Sequence, residues 1–218
     1  MKEQQLYAIL LMAGNSVRFG KNKLTHFVNN KKMYQYALEL VLSCSELFSD
    51  IIVVTQFDEI ETTAVQNHIK VVRNFQSEKG ITSSIHLGIG AIPPAKGQAY
   101  LFLVGDQPWL TETTIRGLVD GWKQSKKGIG CVTFQEKLGN PVIFSWNYRE
   151  ELLALSGDRG GKQVLCCHKE DVYYYDFVGK RYDCGDKLGY LKAILDVALS
   201  RDEFKEGLKD HIKSLKLD

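Results

Sequence analysis

At 218 residues, with 44% apolar and 25% charged side chains, the chain has the profile of an ordinary globular protein able to bury a substantial core. Its net charge of +2, from 28 basic and 26 acidic residues mixed along the sequence, argues against nucleic acid or a membrane surface as partner. Five cysteines without CxxC spacing suggest neither a disulfide framework nor a zinc site, and a polar start with no membrane-length apolar run makes the cytoplasm the expected location.

Short β-branched runs alternate with amphipathic stretches, which predicts an α/β domain with a largely parallel sheet, one domain over 1–218. In chain order the pattern gives a strand over 7–12, a helix over 32–48, a strand over 50–55, a helix over 58–67 and a strand over 70–73. A helix over 83–91, a strand over 99–104, a helix over 111–124 and strands over 130–134 and 141–144 follow. The remainder reads as helices over 147–155 and 161–168, a strand over 172–177, and two helices over 187–199 and 202–215.

The first strand runs into Leu11-Met12-Ala13-Gly14-Asn15-Ser16-Val17-Arg18-Phe19-Gly20-Lys21-Asn22-Lys23. Small residues let backbone N–H groups approach phosphate oxygens, and Arg18 and Lys23 add full positive charge. Five residues between Gly14 and Gly20 exclude a Walker loop, and Ser16 and Phe19 stand where a dinucleotide fingerprint needs glycine. The alternative is a plain turn with surface charges. The strand at 99–104 enters Gly105-Asp106-Gln107-Pro108. That places a carboxylate at the carboxyl edge of the sheet, where α/β proteins bind ligands and where Mg²⁺ needs only one or two carboxylates beside phosphates. The competing reading of Asp106 is a cap on the turn before Pro108.

Taken in order, Leu-x-Ala-Gly-x-Ser-x-Arg-x-Gly-x-x-Lys, Gly80-x-x-Ser83-Ser84-Ile85, Gly105-Asp106-Gln107-Pro108, Gly139-x-Pro141-x-x-Phe144 and Leu155-Ser-Gly-Asp158-Arg-Gly160-Gly161 resemble the molybdenum cofactor nucleotidyltransferase family over roughly residues 6–168. The resemblance implies a Rossmann-like nucleotidyltransferase fold with a mostly parallel mixed sheet flanked by helices. It implies Leu11, Ala13, Gly14, Ser16, Arg18, Lys23, Gly80, Ser83 and Ser84 as nucleotide-binding residues, with Arg18, Lys23 and Asp106 catalytic. Asn140, Pro141, Asp158 and Gly160 fall at acceptor-binding positions. Ala13-Gly14 and the Ser83-Ser84 pair are closer to the cytidylyl branch than to the guanylyl branch, so CTP is favoured and molybdopterin is the expected acceptor. N-capping is the simpler role for either serine.

Two departures stand out. Asn140 replaces the family's histidine before Pro141, and the late Asp-x-Asp-Thr-Pro is missing. In its place Gly179-Lys-Arg-Tyr-Asp183-Cys-Gly-Asp-Lys-Leu-Gly-Tyr-Leu-Lys-Ala193 resembles the C-terminal part of UTP–glucose-1-phosphate uridylyltransferases, so 179–218 carries a different likeness. Both likenesses imply an Asp here on the Mg²⁺, which Asp183 would supply beside Asp106. The resemblance also implies a molybdenum hydroxylase apoprotein as recipient of the product. A sugar-1-phosphate uridylyltransferase, a GTP-using guanylyltransferase and a non-catalytic cofactor-delivery factor remain alternatives.

Overall fold

A computed structural model describes residues 4–14, 22–177, 187–199 and 201–215. Its order is β1 (Gln5–Met12), β2 (Phe27–Val28), β3 (Lys31–Lys32), α1 (Met33–Ser43), β4 (Asp50–Thr55), α2 (Asp58–Gln66), β5 (Lys70–Arg73), α3 (Ile81–Gly90) and β6 (Gln98–Val104). There follow α4 (Glu112–Ser125), β7 (Ile129–Phe134), β8 (Lys137–Ser145), α5 (Arg149–Leu153), α6 (Lys162–Cys167), β9 (Val172–Asp176), α7 (Lys187–Leu199) and α8 (Asp202–Ser214). The chain gathers into two compact units, Met1–Phe177 and Val178–Asp218, and α7 and α8 make up the described part of the second. No helix among the described residues is long and apolar enough to cross a membrane.

The first unit is built on a seven-stranded sheet in the order β5-β4-β1-β6-β8-β7-β9. Only β8 runs against the others; β1 pairs in parallel with both β4 and β6, and β9 pairs in parallel with β7. The sheet is therefore mixed and mostly parallel, as expected. Central strands buried on both faces need apolar residues at every position, and β1 supplies them. Its Ala8, Leu10 and Met12 join the core under α1, α2 and α4, while Ile9 and Leu11 join the core under α3, α5 and α6. Gly88 of α3 is a close-packing point, since a Cβ there would stand 2.5 Å from Ile9 Cγ2.

Three local features differ from the sequence reading. The helix expected to reach residue 48 stops at Ser43, and a 3-10 turn, Ser45–Leu47, follows. The Ser43 hydroxyl bonds back to the Leu40 carbonyl at 2.9 Å, a local alternative to continuing the helix. A small β2–β3 hairpin goes unannounced in the pattern. Finally, β8 starts at Lys137, joined to β7 through Gln135 and Glu136, both at positive φ, a turn usually written with Asn or Gly. Pro141 is tolerated within β8 because pairing with β6 begins only at Val142, and the β7 register shifts between Cys131 and Thr133.

Candidate functional site

Six parallel strands end, and β8 begins, along one edge of the sheet. Leu11 of β1 is in register with Val54 of β4 and Val104 of β6, so Gly14 and Asp106 emerge side by side. The backbone after β1 is fastened to β4: the Thr55 hydroxyl donates to the Met12 carbonyl at 3.0 Å, and Gln56 Nε2 donates to the Ala13 carbonyl at 2.6 Å. Leu11 and Ala13 are buried, so their side chains secure the strand end. Among the described residues, a Cβ added at Gly14 would meet nothing within 4 Å, so none of them forces glycine here by packing.

Asp106 and Lys23 meet for reasons that trace to their neighbours. A Cβ at Gly105 would stand 2.9 Å from Met12 Cγ and 3.2 Å from Leu24 Cδ2, so any side chain where the chain leaves β6 would force Met12 or Leu24 to shift. Leu24 is buried, and its N–H is held by Asn22 Oδ1 at 3.0 Å at the head of a short 3-10 turn. With Leu24 anchored inward, Lys23 Nζ reaches the Asp106 carboxylate and pairs with it. Both side chains remain about a third exposed, at 39% and 32%, open to a ligand. Beside Asp106, Gln107 Nε2 donates to the Asn140 carbonyl at 3.4 Å, just before the cis Asn140–Pro141 bond.

The first turn of α3, which the chain reaches after the carboxyl end of β5, gathers a second group of the expected residues. Gly80 has φ +87, a region that L side chains rarely adopt. Ser83 Oγ donates to the Gly80 carbonyl at 2.9 Å and accepts from Asn74 Nδ2 at 2.9 Å, while Ser84 Oγ accepts from the same nitrogen at 2.8 Å. Asn74 is fully buried, and its Oδ1 accepts from the Gln76 N–H at 2.9 Å. This residue was not singled out in the sequence. An Asn directly after a strand is the only local sign, and turns carry the same sign. Asp158 stands at the head of α3, its Oδ1 accepting from the Ile81 N–H at 3.0 Å, and Gly160 packs against Ile81. Ser83 also lines an open cleft of about 480 Å³ on α3, with Arg73, Phe75, Lys79 and His86.

Of the residues expected at the site, Gly14, Lys23 and Asp106 converge, Gly80, Ser83, Ser84, Asp158 and Gly160 form a second group, and Asn140 and Pro141 adjoin Asp106 through Gln107. Ser16, Arg18 and Asp183 lie outside the described residues. Among the described residues no cluster of three His, Cys, Asp or Glu side chains could hold a metal. A single partly exposed carboxylate at the carboxyl edge of the sheet nevertheless suits Mg²⁺ or Mn²⁺, which draw their remaining ligands from phosphate oxygens and water. Cys131 takes no part: burial pushes its thiol up to about 11, so it stays protonated at neutral pH.

Comparison with known proteins bears on the family and the fold. The profile of the MobA-like NTP transferase domain matches residues 8–172. The chain belongs to this family. Within the family's frame, the match ends at the first residue of β9, in the first compact unit. A UTP–glucose-1-phosphate uridylyltransferase of Staphylococcus saprophyticus is 45% identical over 139 residues, 61% of this chain and 46% of that protein. The chain spans less than half the length of the curated relatives it matches. Among solved structures, Rv0371c of Mycobacterium tuberculosis superposes with TM-score 0.71 at 19% identity, covering 88% of this chain and 99% of that one. The same protein solved in complex with manganese gives TM-score 0.67 at 19% identity, over 86% and 97% of the two chains. A 4-diphosphocytidyl-2C-methyl-D-erythritol synthase of Anaerococcus prevotii gives TM-score 0.64 at 15% identity, over 91% and 99%. These likenesses establish a nucleotidyltransferase fold.

Proposed function

We propose that the chain transfers CMP from CTP to the phosphate of molybdopterin, releasing pyrophosphate, as one nucleotidyltransferase domain over 1–218 acting in the cytoplasm. The observation that carries the reading is the meeting of Lys23 with Asp106 beside the open Gly14 at the carboxyl edge of the sheet. An acceptor phosphate oxygen attacks the α-phosphorus of the nucleotide in line, the bond to the bridging oxygen breaks, and pyrophosphate leaves. Both reactants are polyanions, so they need local positive charge to approach each other. Lys23, with Arg18, neutralises charge growing on the leaving phosphates, and backbone donors near Gly14 and Ser16 hold them.

Asp106, with Asp183, would hold Mg²⁺, which supplies Lewis-acid neutralisation of the α-phosphate when bound. Asn140, Pro141, Asp158 and Gly160 are assigned to the acceptor side by the family resemblance, and a molybdenum hydroxylase apoprotein is the recipient of the product. A second reading, transfer of UMP to a sugar 1-phosphate, is favoured by the 45% identity to a uridylyltransferase. Pyrophosphate release measured with each of the four nucleoside triphosphates separates the two, with molybdopterin or glucose 1-phosphate as acceptor. Release that requires CTP and molybdopterin supports the first reading; release only with UTP and glucose 1-phosphate replaces it; no release in any arm refutes both.

A further inference from the structure

The head of a helix is ordinarily an anion site, because its first N–H groups lack partners and the helix dipole favours negative charge. In α3 that place is taken from within the chain. Asp158 Oδ1 accepts from the Ile81 N–H at 3.0 Å, across 77 residues of sequence. The fit leaves no slack: a Cβ on Gly80 would stand 2.6 Å from Asp158 Oδ1 and 2.9 Å from Asp158 Cα. A second contact holds the same two segments in register, since a Cβ on Gly160, at φ +59, would stand 3.1 Å from Ile81 Cγ2. On the other flank Asn74 holds the Ser83 and Ser84 hydroxyls.

The two ends of the site therefore differ in what they offer a phosphate. The Gly14 end carries the partly exposed Lys23, whereas at the α3 head the Ile81 N–H is already taken by Asp158. A nucleoside triphosphate is asymmetric in the same way, with a polyanionic tail and an uncharged base. We propose that Asp158 is a positioning residue for the nucleotide: it occupies the α3 head, excludes phosphate from it, and holds the Gly80–Ser84 turn so that the base is read there while the triphosphate runs to Lys23. This inference rests on the nucleotidyltransferase reading above and moves Asp158 from the acceptor side of the site to the nucleotide side.

The test compares wild type, Asp158→Ala and Asp158→Asn, with Mg²⁺ complexes of CTP, UTP and GTP titrated calorimetrically in the absence of acceptor. Asp158→Asn keeps an oxygen acceptor for the Ile81 N–H, and Asp158→Ala does not. The expected result is that Asp158→Ala loses affinity for the preferred triphosphate about fivefold or more, the effect of losing a helix cap. Its discrimination among bases should narrow as well, while Asp158→Asn retains both. Hydrogen exchange at the Ile81 amide should quicken in Asp158→Ala alone, a readout that needs no nucleotide. Unchanged nucleotide affinity and selectivity in Asp158→Ala, with only the acceptor KM raised, would overturn the inference and leave the nucleotidyltransferase reading standing. If wild type binds none of the triphosphates, the underlying reading falls, and the inference falls with it.

Discussion

Lys23 Nζ rests on the carboxylate of Asp106, 83 residues away in the chain, so the two groups to which we assign separate tasks in nucleotidyl transfer begin as partners of each other. A divalent cation at Asp106 competes with that ammonium for the same oxygens, because like charges a few ångströms apart repel. Lys23→Met, which keeps length and removes charge, should therefore bind free Mn²⁺ more tightly than wild type in an EPR titration, yet turn over about a hundredfold more slowly. Asp106→Asn should lose both Mn²⁺ binding and turnover. Mn²⁺ binding that is unchanged in Asp106→Asn would remove Asp106 from the metal site.

Asn74 is the next position at which sequence and stability meet. Its side chain serves Ser83, Ser84 and the Gln76 N–H from a fully buried position. Asn74→Ala leaves several of these groups without a partner, at about 1–3 kcal/mol for each that stays buried. Denaturant unfolding should show a loss of about 2 kcal/mol or more, and the nucleotide KM should rise as the α3 turn loosens. A variant within about 0.5 kcal/mol of wild type would mean that water replaces the amide at no cost.

Gly80 combines a φ of +87 and ψ of −176 with close approach to Asp158. Gly80→Ala should cost about 1–3 kcal/mol from backbone strain alone, with the contact to Asp158 adding to it. Equilibrium unfolding of Gly80→Ala beside Gly14→Ala makes the comparison internal, since a Cβ at Gly14 meets nothing within 4 Å among the described residues. Gly14→Ala should fold with near-wild-type stability and fail, if it fails, in nucleotide binding. Equal destabilisation of the two would contradict the packing described here.

Much of this site leaves a mark on the sequence because strand ends at a ligand edge break the local pattern. Apolar runs that stop at Ala13-Gly14 and Gly105-Asp106 announce themselves, and apart from the β2–β3 hairpin the order of strands and helices in the first unit follows from periodicity. Other features have no local signature. The Asn74 amide holds residues nine and ten positions on, and Asp158 holds an N–H 77 positions back; such partners are chosen by tertiary packing. The Gln135–Glu136 turn is likewise hidden, because neither residue is typical of positive φ. The strand predicted from Pro141 begins four residues earlier, at Lys137, because nothing in the local pattern shows the pairing with β7 that extends β8.

Among the described residues, the cysteines separate into two classes. Cys44 and Cys131 are buried, and Cys166 and Cys167 are exposed at the end of α6. The thiolate is the reactive form, and burial holds the Cys131 thiol up at about 11. Under native conditions at neutral pH, iodoacetamide should modify Cys166 and Cys167 well before Cys44 or Cys131, as read by peptide mass mapping. Early labelling of Cys131 would show that β7 and β8 open locally without global unfolding.

Base choice brings the two ends of the site together. Ser83 and Ser84 present hydroxyls whose orientation Asn74 constrains, and Ser83 also donates to the Gly80 carbonyl. A base whose polar edge pairs with that turn gains, and one that leaves buried partners unpaired loses about 1–3 kcal/mol for each. CTP and UTP differ at the exocyclic group and the adjacent ring nitrogen, where donor and acceptor exchange, and the proposed function makes this constrained turn the place where they are told apart. Catalytic efficiency measured with all four triphosphates at fixed Mg²⁺ should favour CTP by about tenfold or more, equivalent to 1.4 kcal/mol. The preference should shrink in Asn74→Ala, because freed serine hydroxyls can turn to suit either pyrimidine. A GTP preference would place the chain on the guanylyl branch. A UTP preference that survives Asn74→Ala would locate base selection away from the α3 turn.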